Sequence, residues 1–387
     1  MTDERLIQCG RYLTALIRAG LTGVSAQTKP ENISWDELYQ MASIHGVEYL
    51  AWQGARLARD EAFTPEQKAQ WERRAWQCAL QSMVQTEELR ALMAQLHSEG
   101  IPACPMKGPW LKPLYPQPEQ RQMVDLDILI CASDRRCVRE LMEARGYFCR
   151  FFEEKYDDAY RKEPYLYVEM HTAPVDEKNP HRVWAERHLA DGDGGWRWQQ
   201  TPPSPEEQYL YLLMHLEKHW TSIGCGMRPL LDLRVFRAAH SGSWSESTLS
   251  ALCRETGLTA FRREMERLSD RLFSPEAQRV PDAPWDDAEY LVYLSGAYGS
   301  TRSRVESALL LGRGGASFGR TANYLLSRLF PPLAEAEKTY KVLKRAPWLY
   351  PSVWLYRLIR LPFAPDSAAR RELRVMRELL KQKEETK

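Results

Sequence analysis

The ten residues from Arg121 to Ile130, Arg-Gln-Met-Val-Asp-Leu-Asp-Ile-Leu-Ile, constrain the fold of this chain more than any other stretch. Val124, Leu126, Ile128, Leu129 and Ile130 predict a buried β-strand, and Asp125 and Asp127, two residues apart on it, point to one face. Strand interiors disfavour Asp, and adjacent carboxylates repel, so the arrangement is costly unless a cation lies between them. A divalent metal is the simplest partner. Hard carboxylate oxygens suit Mg²⁺ or Mn²⁺, the ions of phosphoryl and nucleotidyl transfer. The structural alternative is that one Asp caps the strand end or pairs with Arg121 while the other faces solvent.

The surroundings favour the metal. About seventeen residues upstream lies Pro105-Met-Lys-Gly-Pro-Trp-Leu-Lys-Pro-Leu-Tyr115, where an apolar stretch from Ile101 meets Gly108 and then helical apolar spacing. Strand, glycine turn and helix follow in order, Pro109 suits a first helical turn, and backbone amides there can face a phosphate. Lys107 adds a positive charge. Downstream, Tyr165-Leu-Tyr-Val-Glu-Met-His171 alternates as a second strand that puts Tyr165, Tyr167, Glu169 and His171 on one face. Glu169 is thereby placed as a third carboxylate. His171 is either a substrate-orienting group or base, or a hydrogen bond at the strand end.

Lys107-Gly108-x-x-Leu111, Tyr115, Arg121-x-x-x-Asp125-x-Asp127-x-Leu129 and Glu169-x-His171 together resemble the uncharacterised nucleotidyltransferase family of the DNA polymerase β superfamily. A weaker likeness continues through His215, His219 and Arg228-x-x-x-Asp232. The resemblance implies a glycine turn at Gly108, metal binding by Asp125, Asp127 and Glu169, and nucleotide contacts from Lys107, Gly108 and Arg121. Pro109 stands where the wider superfamily usually carries Ser, so Lys107 is expected to replace the missing hydroxyl contact to phosphate. The implied activity is two-metal, Mg²⁺- or Mn²⁺-dependent transfer of a nucleotidyl group from an NTP such as ATP to an acceptor: a protein, a small molecule or a nucleic acid. The alternatives are a nucleotide-binding or scaffold protein without turnover, and kinase-like phosphoryl transfer by the same metals.

Around this centre the chain divides by texture. Residues 1–98 predict helices, with capping boxes at Ser34-Trp-Asp-Glu37 and Thr64-Pro-Glu-Gln67 and a stop at Gly100. Residues 99–203 predict an α+β nucleotidyltransferase core, with strands at 101–106, 123–131, 147–152 and 164–171 and helices at 109–115 and 133–145. The Pro- and Gly-rich stretch 172–203 predicts turns and loop, and residues 204–387 a helical region. With 53 basic against 52 acidic residues the net charge is +1, so no global field draws nucleic acid. The eight cysteines, without a Cys-x-x-Cys pair, predict reduced core residues in a cytoplasmic protein. No apolar run is long enough to cross a bilayer, so no integral membrane association is expected, and the charged Met1–Arg5 does not predict a signal peptide.

Three further features have competing readings. His215 and His219 are spaced for one metal on a helix, but Leu216 follows the first His where a zinc protease needs Glu, which favours a structural or substrate-facing role. Arg228 and Asp232 fit an i,i+4 ion pair, either structural or bordering the nucleotide. Residues 341–374 carry eight basic side chains against Asp366 and Glu372, interleaved with aromatics. They predict either a solvated helix face or a site for an anionic partner, lipid or RNA.

Overall fold

A computed structural model describes residues 2–58, 63–192, 194–277 and 284–297, with scattered positions between 302 and 375 that include the run 340–360. Both expected capping boxes form. Helix α1 (Asp3–Thr22) is followed by α2 (Trp35–His45), which starts from reciprocal bonds between Ser34 and Glu37, and by α3 (Glu48–Leu57). Helix α4 (Pro65–Ser98) runs for 34 residues from the Thr64/Gln67 box, and the chain leaves it through Gly100 at φ 69°.

A five-stranded sheet follows, in the order β1-β2-β5-β4-β3. Its strands are β1 (Ala103–Pro105), β2 (Leu126–Ile130), β3 (Phe148–Phe151), β4 (Asp157–Lys162) and β5 (Leu166–His171). β2 and β5 pair in parallel, and the other pairings are antiparallel. Between β1 and β2 lie the single-turn helix α5 (Gly108–Leu111) and 3₁₀ turns at Lys112–Leu114 and Pro118–Gln120; α6 (Arg135–Ala144) joins β2 to β3.

Alternation along the strands decides which face is dry. Leu126, Ile128 and Ile130 of β2 and Val168 and Met170 of β5 are buried against Leu92 and Leu96 of α4 and Val138, Leu141 and Met142 of α6. Each such burial contributes about 1.5–3 kcal/mol, which fixes the register and forces the intervening residues to the opposite face.

The sheet differs from expectation in places. The strand expected over 123–131 begins only at Leu126, so Asp125 precedes it and Val124 is 43% exposed. The helix expected over 109–115 stops after one turn, because Pro113 and Pro116 cannot continue the amide ladder. β4 was not expected: its run Asp-Asp-Ala-Tyr-Arg-Lys lacks the usual strand composition. The stretch 172–203 holds a helix, α7 (Arg182–Leu189), where turns and a loop were expected.

Helices α8 (Pro205–Trp220), α9 (Met227–Ala239), α10 (Glu246–Glu255), α11 (Thr259–Phe273) and α12 (Asp287–Ser295) follow, and α13 (Tyr350–Arg360) lies near the C-terminus. The chain falls into two compact units, Met1–Lys218 with Met227–Glu289, and His219–Gly226 with Tyr290–Lys387. Much of the basic segment 341–374 lies outside the described residues; within its described part Trp348 and Tyr356 are exposed. All eight cysteines are unpaired, five of them buried, whereas Cys137 is exposed rather than in the core. Among the described residues no helix is long and apolar enough to cross a membrane.

Candidate active site

The parallel pairing of β2 with β5 sets Asp127 opposite Glu169 and Leu129 opposite His171. Residues in register share a face, so Asp127 and Glu169 stand side by side on the surface away from the α4–α6 core. His171 turns its Nε2 to within 2.7 Å of Asp127 Oδ1 and 3.5 Å of Glu169 Oε2. One potential ligand atom from each of Asp127, Glu169 and His171 lies within 4.8 Å of the others, and among the described residues no second group of three does so. The two carboxylates are the hard oxygen donors that Mg²⁺ or Mn²⁺ prefers, whereas the imidazole is a donor better suited to softer ions.

Lys107 reaches this cluster from the turn after β1. Its Nζ donates to Asp127 Oδ1 at 2.9 Å, and its backbone sits at φ 51°, where non-glycine residues are uncommon. Both flanks of the turn are fixed. Met106 N donates to the Asp127 carbonyl at 2.9 Å, and Gly108 is pressed so closely beneath Met123 that a Cβ there would lie 2.4 Å from its Sδ and 3.1 Å from Arg121 Nη1. A side chain at 108 would therefore have to displace Met123. The amides of Trp110 and Leu111 bond to the Lys107 carbonyl, closing the single turn of α5.

The charges in the cluster differ in state. Burial opposes ionisation of Asp127, but the Lys107 ammonium and His171 outweigh it and hold this carboxyl well below the usual carboxylate range. Glu169 goes the other way: burial, then the charges of Asp127 and Asp125, push it up to about 7. Asp125 is raised as well, first by burial and then by Asp127. It stands outside the three-ligand cluster, one residue before β2, but close enough for its charge to act on Glu169. Two aromatic groups that the sequence did not single out complete the surroundings. The Tyr156 ring lies 5.2 Å from His171, and the Tyr211 hydroxyl, on α8, is pushed up to about 12 by burial although Lys107 opposes the shift. Tyr211 lies in the run Tyr209–Met214 of α8, which is buried throughout, and nothing in its spacing distinguishes it from a core residue.

Arg121 makes its hydrogen bonds away from Asp127 and Glu169, although Asp125 lies close enough for its charge to act on it. Its guanidinium forks onto Asp232 of α9, with Nε 3.1 Å from Oδ1 and Nη2 3.0 Å from Oδ2, and Tyr115 donates its hydroxyl to the same Oδ1 at 2.7 Å. The expected Arg228–Asp232 pair is thus replaced: Asp232 serves Arg121 and Tyr115, while Arg228 donates to the Gln122 carbonyl at 3.1 Å. Gln81 and Gln85 of α4 donate to the Met123 carbonyl, and Lys112 donates to the Ser82 carbonyl. The long helix thereby splints the segment that delivers Asp125 and Asp127. His215 and His219 are half-buried on α8 and take no part in the three-ligand cluster.

Residues 31–274 match a protein family described as uncharacterised nucleotidyltransferase. Among solved structures, the chain is similar to the antibiotic-resistance factor ANT(2'')-Ia, with 12% identity and a TM-score of 0.32 over 49% of this chain and 97% of that one. Comparison with curated proteins found no match.

Proposed function

The chain belongs to the uncharacterised nucleotidyltransferase family, and from that premise we propose that it transfers a nucleotidyl group from an NTP to an oxygen of an acceptor in a Mg²⁺- or Mn²⁺-dependent reaction. The observation that carries this reading is the register of Asp127 with Glu169, which brings two carboxylates and His171 to one spot on the sheet. Asp127 and Glu169, with Asp125 beside them, would hold the metal, which when bound supplies charge stabilisation to the triphosphate and activates the acceptor oxygen. Glu169 has a second use. It or an adjacent group would take the acceptor proton. Lys107, close to the same spot, would meet a phosphate oxygen of the donor. Arg121 acts indirectly: through Asp232 and its contact over Gly108 it holds the turn that presents Lys107. The unpaired cysteines support a reducing, cytoplasmic setting.

The test is incubation of the full chain with each NTP, Mg²⁺ and fractionated cell extract, followed by mass spectrometry. The expected product is an acceptor heavier by one nucleoside monophosphate, formed about 10²–10⁴-fold more slowly by Glu169→Gln. An acceptor gaining only a phosphoryl group would reassign the chemistry to kinase-like transfer. No product from any NTP would sink the transferase reading.

A further inference from the structure

Asp127 Oδ1 accepts from Lys107 Nζ at 2.9 Å and lies 2.7 Å from His171 Nε2. The ammonium is nearly enclosed, with its side chain 16% exposed, and it satisfies the carboxylate that a metal held by this cluster would also need. We propose that Lys107 is a resident counter-ion of the cluster, displaced from Asp127 when a divalent cation enters, so that metal binds together with a triphosphate and poorly alone. The inference rests on the metal-dependent reading above.

Two observations separate this from an ordinary buried ion pair. First, Lys107 is held at φ 51° between fixed flanks, the Met106 amide bonded to the Asp127 carbonyl and Gly108 packed under Met123. A strained backbone persists only where its surroundings impose it, and here they aim one side chain at one carboxylate. Second, the ion pair is set among like charges. Glu169 and Asp125 stand close enough to Asp127 for their charges to interact, so Lys107 sits among three carboxylates, helped by His171 at Glu169 and by Arg228 at Asp125. A dication neutralises that group better than a monocation does, but it must first break the bond from Lys107. A triphosphate eases the exchange by giving the released ammonium a new anionic partner at the same place.

The experiment uses the full chain, Mn²⁺ alone by titration calorimetry, and thermal melting with Mn²⁺, with and without inorganic tripolyphosphate. The wild type should bind Mn²⁺ weakly alone and more tightly with tripolyphosphate. Lys107→Met, which keeps the apolar stem, and Lys107→Gly, which suits the positive φ, should bind Mn²⁺ alone on the order of ten- to a hundredfold more tightly, the equivalent of one charge-assisted hydrogen bond. Without metal both variants should melt lower than wild type, and Mn²⁺ should restore them. Lys107→Arg should bind Mn²⁺ alone as weakly as wild type. Equal Mn²⁺ affinity in wild type and Lys107→Met overturns the counter-ion role but leaves the transferase reading intact. A lower melting point that Mn²⁺ fails to restore, in variants that nevertheless bind tripolyphosphate and Mn²⁺ together, marks the pair as structural and also overturns it. No Mn²⁺ binding by any form, with or without tripolyphosphate, overturns both readings.

Discussion

Two carboxylates in register on neighbouring strands are driven in opposite directions, and the difference lies in their partners. Asp127 has Lys107 and His171 on one oxygen, whereas Glu169 has burial and two negative neighbours. The pH dependence of stability follows from the sign of the Glu169 shift. Folded Glu169 keeps its proton up to about 7, whereas the unfolded chain releases it near 4.5. Between those values the native state binds more protons. The contribution is therefore fully present below about 4.5 and is lost as pH rises through about 7. In chelator, Glu169→Gln should reduce the stability lost between pH 5 and pH 8 by on the order of 1–3 kcal/mol, as measured by denaturant melts. Asp125, raised first by burial and then by Asp127, contributes with the same sign. Identical slopes in wild type and variant would show that Glu169 is not raised. The facing of Asp127 and Glu169 follows from period-two alternation on the strands, which the sequence carries, whereas Asp125 lies one residue before β2 and outside the three-ligand cluster. The partner of Arg121 was not legible in the sequence, because Asp232 lies 111 residues away and only the folded chain brings α9 to the β1–β2 segment.

At the scale of elements, the segment from β1 to β2 determines how the site is presented, and Gly108 is its tightest point. The sequence suggested a glycine that lets backbone approach a ligand; the packing supplies a second reason in Met123. Gly108→Ala should destabilise the protein by about 1–3 kcal/mol, since the neighbour at 2.4 Å must move. Adding Met123→Ala should recover part of that loss, because the cavity it opens receives the new methyl group. A double-mutant cycle by urea melts reads the coupling, and strictly additive effects would contradict the packing account. The same contrast explains which elements could be anticipated. The capping boxes of α2 and α4 are local hydrogen-bonding chemistry, complete within four residues. β4 depends on its neighbours: a polar run becomes a strand because β5 and β3 pair with it on both sides and Tyr160 is buried in the core. α7 lies among turn-forming residues, and Ala185 and Leu189 tie it to the cluster of Trp196 and Trp198. Tertiary contact, rather than local propensity, sets both elements.

For the whole molecule the decisive question is whether the cluster exists for turnover or the chain serves only as a scaffold. Sequence alone suggests replacing Asp125 and Asp127 together, on the ground that the strand packs through Val124, Leu126, Ile128 and Leu129. The structure changes that choice. Val124 is 43% exposed, and Asp127 is the acceptor for a nearly enclosed ammonium and a close partner of a buried imidazole. Removing one partner of a buried pair costs about 3–5 kcal/mol, so a defect in Asp127→Asn would confound lost chemistry with lost fold. Asp125→Asn combined with Glu169→Gln avoids this. It removes two carboxylates that repel Asp127 and leaves Lys107 and His171 their partner. The double variant should melt at or slightly above the wild type at neutral pH, keep its binding to any protein partner, and lose nucleotidyl transfer by several orders of magnitude. The loss should appear in kcat, because metal-held charge is needed mainly in the transition state. If a folded double variant still supports the cellular function as well as the wild type does, the carboxylates are dispensable there, and the chain acts as a scaffold on a nucleotidyltransferase fold.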